Sequence, residues 1–235
     1  MKNLFAKVAR LSVAGIFIGF WAVVASAQTT TNYNFTFAPN RTVPDGNTSG
    51  VALTTNLTGM VGIITNLTLS LNISGGYNGD LYAYLRGPNG GFAILLNRPG
   101  VGNGDAFGYG DTGFNITFDD SSSFNNLHFY QDFSYSLNGS NALNGTWSSD
   151  GRAIDPLSNP SVFSTNVPSA FLDSFDGTDP NGTWTLFLAD LSNGGESTVA
   201  GWSLDITTVP EPSTCSLLGI GFALFLARKR MNRSA

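Results

Sequence analysis

Apolar and polar residues alternate with a period of two along much of the middle of the chain. The clearest run is 61–73. Val61, Ile63, Leu67, Leu69, Leu71 and Ile73 occupy odd positions, Gly62, Asn66, Thr68, Ser70 and Asn72 occupy even ones, and Ile64 and Thr65 break the phase. Alternation of this length predicts a strand with one buried face. Shorter runs follow the same rule. Tyr33, Phe35 and Phe37 share a face, residues 81–85 and 92–96 form two further strands, and Phe114, Ile116 and Phe118 alternate with Asn115 and Thr117. Trp184, Leu186 and Leu188 lead to Asp190, and Trp202, Leu204 and Ile206 make the last strand. Residues 127–137 are expected to be a strand with an aromatic face. Glycine-rich turns at 75–79, 87–91 and 193–195 separate these runs, since glycine accepts positive φ. Residues 97–113 and 138–168 are predicted to be long loops. No stretch keeps a helical period for about ten residues, and no period of about 20 to 50 residues recurs. Short strands joined by glycine-rich turns predict an all-β, jelly-roll-like β-sandwich.

The two ends follow other patterns. Lys2, Lys7 and Arg10 precede an apolar stretch at 11–24 and then Ala25-Ser26-Ala27. A positive start, an apolar run and an A-x-A site make residues 1–27 a signal peptide, with Ala25 and Ala27 at the cleavage site. At the other end, Val209-Pro210-Glu211-Pro212-Ser213 opens a tail in which an apolar segment (214–227) is followed by a basic end (228–235). The two prolines fix φ and remove two backbone donors, leaving a stiff extended segment. The fully apolar part is roughly a dozen residues, short of the roughly 20 that a full span needs. The short transmembrane helix expected here suits a temporary anchor as well as a permanent one. Its basic end would remain cytoplasmic. Motif, apolar run and Arg228-Lys229-Arg230 together resemble the PEP-CTERM sorting signal of bacterial exported proteins. That resemblance implies processing near Val209, Pro210, Glu211 and Pro212 by an exosortase, transient contact with the membrane, and delivery to the cell surface or beyond.

Removing both ends changes the charge. The whole chain carries 11 basic and 16 acidic residues, a net of −5. Seven of the basic residues lie in the two tails, so the middle holds only Arg41, Arg86, Arg98 and Arg152 against fifteen acids, a balance of −11. A body this acidic excludes nucleic acid and anionic lipid as partners. The one cysteine, Cys215, lies in the tail, so the body forms no disulfide. At about 180 residues, 28–208 is the length of one domain with a real core.

Two segments of this body carry a second resemblance. The first is Ile73-Ser74-Gly75-Gly76-Tyr77-Asn78-Gly79-Asp80-Leu81, followed by Gly87-Pro88-Asn89-Gly90. The second is Asp179-Pro180-Asn181-Gly182-Thr183-Trp184-Thr185-Leu186, followed by Asp190 and Gly201-Trp202-Ser203-Leu204. In this order they resemble the P (P/Homo B) domain of proprotein convertases and bacterial subtilisin-like proteases. The family's usual His before Gly-Asp-Leu is replaced by Tyr77. The resemblance implies a jelly-roll sandwich that accompanies a catalytic domain, and none is attached here.

The residues point away from catalysis. A serine-protease triad needs a base beside its nucleophile. The sole histidine, His128, falls in the expected aromatic strand, and no Gly-x-Ser-x-Gly elbow occurs. Asp119 and Asp120 are adjacent, so on a strand they face opposite ways. Calcium is the better expectation, because it takes carboxylates and carbonyls at loop ends. Asp80 begins one strand and Asp190 ends another, so antiparallel pairing would bring them together, with Asp111 or Asp105 of the glycine-rich loop as a third ligand. Trp184 and Trp202 are in phase with Leu and Ile and are expected in the core. Trp147 is the freer ring and the expected glycan contact. Asn-x-Ser/Thr triplets, as at Asn34, Asn56 and Asn66, are read as chance in an Asn- and Thr-rich body. Three functions remain open: a non-enzymatic exported surface or matrix protein, an accessory module for a separate peptidase, and an exopolysaccharide-binding module.

Overall fold

The computed structural model describes residues 29–121 and 123–210, with 221, 222 and 229 beyond them. In chain order the elements are β1 (Thr31–Phe37), β2 (Arg41–Val43), β3 (Asn47–Leu57), β4 (Ile63–Gly75), β5 (Leu81–Arg86), β6 (Phe92–Asn97), β7 (Phe114–Phe118), β8 (Ser136–Leu137), β9 (Leu143–Trp147), α1 (Pro160–Thr165), β10 (Gly182–Asp190) and β11 (Ser197–Val209). They form two sheets. The larger has the order β1-β11-β4-β7-β9-β8, with β2 also on β11, and the smaller has the order β3-β10-β5-β6. Every pairing is antiparallel except β7 with β9.

The core lies between the sheets and is filled by the phase-matched residues. Leu69, Leu71, Ile73, Phe114, Ile116, Leu204 and Ile206 face inward from the larger sheet, and Leu81, Leu85, Trp184, Leu186 and Leu188 from the smaller; all are buried. The Trp184 indole also donates to the Pro180 carbonyl (2.9 Å), and the Trp202 ring stacks on Phe37 at 4.4 Å. The break in phase at Ile64 and Thr65 has a structural counterpart. Asn66 pairs with Thr207 and Ile64 with Thr208, so Thr65 is an extra residue, a β-bulge that re-aims the strand.

Three expectations need correction. Residues 127–132 are not a strand but a pair of 3₁₀ turns, with the Asn126 side chain accepting from the His128 N–H at the start. Only Ser136–Leu137 of the expected strand pairs with another strand. The expected loop 138–168 contains β9 and the short helix α1. Gly145, at φ +107°, makes β9 read as a turn, yet parallel pairing to β7 holds it in the sheet. β3 was absent from the expected strands, although it pairs with β10 along nearly its whole length.

The expected signal peptide with Ala25 and Ala27, the motif residues Glu211 and Pro212, and the expected membrane segment apart from two of its residues lie outside the described residues. Among the described residues no helix is long and apolar enough to cross a membrane. β11 runs to Val209, which pairs with Ile63, and Thr208 is fully buried with its hydroxyl donating to the Val61 carbonyl (2.7 Å). The last strand of the sandwich therefore leads straight into Pro210.

Candidate functional site

Antiparallel pairing of β5 with β10 sets Asp190 opposite Leu81, and the Leu191 N–H donates to the Asp80 carbonyl (2.9 Å). The start of one strand and the end of the other therefore meet at one corner, and Asp80 and Asp190 meet with them. Both are buried, at 8% and 1% exposure. Asp190 Oδ2 has a long contact from the Ser197 hydroxyl (3.4 Å), while Oδ1 has no hydrogen-bond partner. Burial pushes the Asp190 carboxyl up to about 6. The nearby Ser192 N–H opposes this, and the Asp80 and Asp45 carboxylates reinforce it. Burial also raises the Asp80 carboxyl, against a hydrogen bond from the Ser192 side chain and the charge of Arg98, with Asp45 again adding to the rise.

Asp45 is the member that the sequence did not point to. It sits in the turn between β2 and β3, where the Gly194 N–H donates to both of its carboxylate oxygens (3.2 Å each). The start of β3 reaches this corner because Asn47 pairs with Asp190. Asp111, the expected third ligand, is held elsewhere. Its carboxylate accepts from the Tyr130 hydroxyl (2.7 Å) and the Gln131 amide (2.8 Å). Burial and this contact push the Tyr130 phenol far above its ordinary range. Asp105 caps the Phe107 N–H (2.7 Å) on the surface. Among the described residues, no three of His, Cys, Asp and Glu gather closely enough to form a metal centre by themselves. Backbone and hydroxyl oxygens would have to complete any calcium shell at this corner.

A second polar cluster lies beneath the long loops. His128 is fully buried, with Nδ1 2.6 Å from Asp150 Oδ2 and Nε2 2.9 Å from the Val101 carbonyl oxygen. The carbonyl can only accept, so Nε2 carries a proton, and Nδ1 faces the carboxylate. Asp150 also accepts from the Asn97 N–H (3.1 Å), the Arg152 N–H (3.3 Å) and Arg152 Nη1 (3.3 Å). The Arg152 guanidinium is completed by the Asn126 and Phe163 oxygens and lies 4.8 Å from the Phe129 ring centroid. A general base needs a ring nitrogen within reach of a substrate proton. Both nitrogens of His128 are engaged within the core, so this cluster ties together three loops and offers no base. Asp120 is likewise structural, accepting from Ser148, Ser149 and the Leu172 N–H.

Trp147 needs a correction too. Expected to be the freer ring, it is 5% exposed, its indole N–H donates to the Asn144 carbonyl (3.2 Å), and its ring meets Tyr130 edge-on. A buried ring presents no stacking platform. Trp184 and Trp202 lie in the core as expected.

A family model described as the PEP-CTERM protein-sorting motif matches residues 208–230. No curated protein matches the chain. Among solved structures, similarity is found to a chain in the complex of the Aeromonas sobria serine protease with its chaperone. It has 14% identity and a TM-score of 0.40, covering 77% of this chain and 27% of that one. The Aeromonas sobria serine protease alone gives 13% identity, the same TM-score of 0.40 and the same coverage. This chain thus spans about a quarter of the length of the structures it matches.

Proposed function

We propose that this chain is a non-catalytic, jelly-roll-like β-sandwich of the P/Homo B type, exported through a cleaved signal peptide and placed at the cell surface by exosortase. The observation that carries this is the sorting motif at 208–230. The motif begins on the last two residues of β11, so sandwich and sorting signal are consecutive, with no linker between them. The full engagement of His128 supports the non-catalytic part. In the same proposal the corner of Asp80 and Asp190, joined by Asp45 in place of Asp111, takes calcium. Its support is the buried Asp190 Oδ1 that lacks a partner, beside two further carboxylates.

The sorting is tested in a host that carries an exosortase, by replacing Pro210, Glu211 and Pro212 together with alanine. The native chain is expected in the surface or culture fraction with a shortened tail by mass. The variant is expected in the membrane fraction with its tail intact. Release of the variant as complete as that of the native chain would remove exosortase sorting from the proposal.

A further inference from the structure

Two aligned rows of neutral polar side chains cross the outer face of the larger sheet, with Asp205 in the row beyond them. The pairing registers place Thr36, Ser203, Ser70, Thr117 and Thr146 side by side across β1, β11, β4, β7 and β9. The neighbouring row runs through Asn72, Asn115 and Asn144 to Ser136 on β8. The Ser70 and Thr117 hydroxyls are 2.9 Å apart, and the Asn115 amide donates to Asn144 Oδ1 (3.1 Å). The period of two in a strand explains why Asn115-Ile-Thr117 and Asn144-Gly-Thr146 recur. An Asn-x-Thr triplet puts an amide and a hydroxyl on the same face.

A hollow of about 470 Å³ lies over these rows, running from Thr36 and Ser203 to Asn144 and Thr146. A second hollow, of about 320 Å³, continues from Asn144 and Thr146 toward β8, where Phe124 and Tyr135 stand 37% and 41% exposed. Asn144 and Thr146 line both, so the two hollows adjoin across the strands. At about 4.8 Å per strand, the five-strand hydroxyl row spans roughly 19 Å.

The lining of both hollows contains no Asp, Glu, Lys or Arg. That is notable in a body with fifteen acids and four arginines. A floor without cations does not attract an anionic polymer, and a floor without carboxylates does not attract a cationic peptide. Nor does a hydroxyl-and-amide floor match the apolar core of a stable protein interface. Amides and hydroxyls both donate and accept, as sugar hydroxyls do, and the exposed Phe124 and Tyr135 rings at the β8 end suit the apolar faces of sugar rings.

We propose that this face binds a strand of neutral polysaccharide laid across β11, β4, β7 and β9. The proposal deepens the exported-module reading by naming what the module meets outside the cell. Its test is done on purified protein, so its result is independent of sorting.

The full chain is run through native gels containing hydroxyethylcellulose, galactomannan, alginate or no polymer. Retardation is expected in at least one neutral gel and not in alginate. In N115A/N144A the apparent Kd for the retarding polymer is expected to rise about tenfold, the equivalent of one to three lost hydrogen bonds, with the melting temperature unchanged. Should that variant fail to fold, Thr146→Val, which keeps the side-chain shape, is expected to weaken retardation by a smaller factor. Equal mobility in all gels, retardation in alginate, or retardation undiminished in the folded variants would overturn the proposal. So would a concentration-dependent dimer that N115A/N144A abolishes, since the face would then belong to a second copy of the chain.

Discussion

Two buried clusters of charge can be set side by side. Around Asp150 every lone-pair direction is met: His128, the backbone N–H groups of Asn97 and Arg152, and the Arg152 guanidinium all converge on it. Around Asp190 one oxygen has no partner, and the charges that act on it, Asp80 and Asp45, have its own sign, while the cation at this corner, Arg98, acts on Asp80. Both carboxylates are about equally hidden from solvent, at 0% and 1% exposure. Burial therefore does not distinguish a structural carboxylate from a candidate site. The distinction lies in whether the protein itself supplies the counter-charge. Where it does, the cluster fastens loops together. Where it does not, the fold carries an electrostatic cost that a cation would relieve.

The most forceful way to break this contrast is Asp150→Ala. Removing the carboxylate leaves the Arg152 charge and the proton-bearing His128 facing each other in a dry interior. A loss of about 3–5 kcal/mol is expected, as for other broken buried pairs. Urea unfolding at neutral pH measures it. A loss under about 1 kcal/mol would mean that water or rearrangement compensates, and the cluster would not be the fastening described.

Calcium comes next in size. A ligand that binds only the folded state stabilises by about 2.7 kcal/mol at a hundredfold excess over its Kd. The melting temperature is expected to rise in calcium relative to EGTA in the native chain, and not in Asp80→Asn/Asp190→Asn. Identical curves for the native chain would remove the ion from the proposal. The contrast would then rest on Asp190 alone, as an unrelieved buried acid.

The two clusters also differ in how legible they were in the sequence. The meeting of Asp80 and Asp190 followed from local patterns, because each lies at the end of an alternating run and antiparallel pairing brings such ends together. Asp45 did not follow. It lies in a turn before β3, whose Val51, Leu53 and Leu57 alternate with Ala52, Thr54 and Asn56 but whose polar start, Asn47-Thr48-Ser49-Gly50, masks the run. The His128 cluster was out of reach for a stronger reason. Val101, His128, Asp150 and Phe163 come from four short, separate segments, whose mutual placement no periodicity encodes. Leu127, Phe129, Phe133, Tyr135 and Leu137, all at odd positions, imitate the face of a strand. The one local signal against it was Asn126, an N-cap residue type whose side chain accepts the His128 N–H. Trp147 was misplaced because Gly145 hid the strand that buries it. The neutral rows on the larger sheet were visible as repeated Asn-x-Thr triplets, but their alignment across strands is a property of register, which only the fold supplies.

The smallest expected effect is also the one whose sign separates the two clusters. Asp190 is raised from an ordinary value of 3.8 to about 6. Between about pH 4 and pH 6 the folded chain keeps a proton on Asp190 that the unfolded chain has released. The native state then binds more protons than the unfolded one, so stability falls as pH rises through this window and the deficit is complete above it. Taken whole, such a rise is worth about 3 kcal/mol. The exposed Asp45 side of the corner admits solvent, and screening reduces this to about 1 kcal/mol. In EGTA at pH 7.5, Asp190→Asn is thus expected to be more stable than the native chain by about 1 kcal/mol, with the gain shrinking to nothing near pH 4. Urea unfolding of both proteins across this range tests it. A variant less stable than the native chain at pH 7.5 in EGTA would show that Asp190, like Asp150, already has its counter-charge within the fold, and the contrast between the clusters would disappear. In saturating calcium the order should reverse, because the native carboxylate then holds a cation that the amide holds less well.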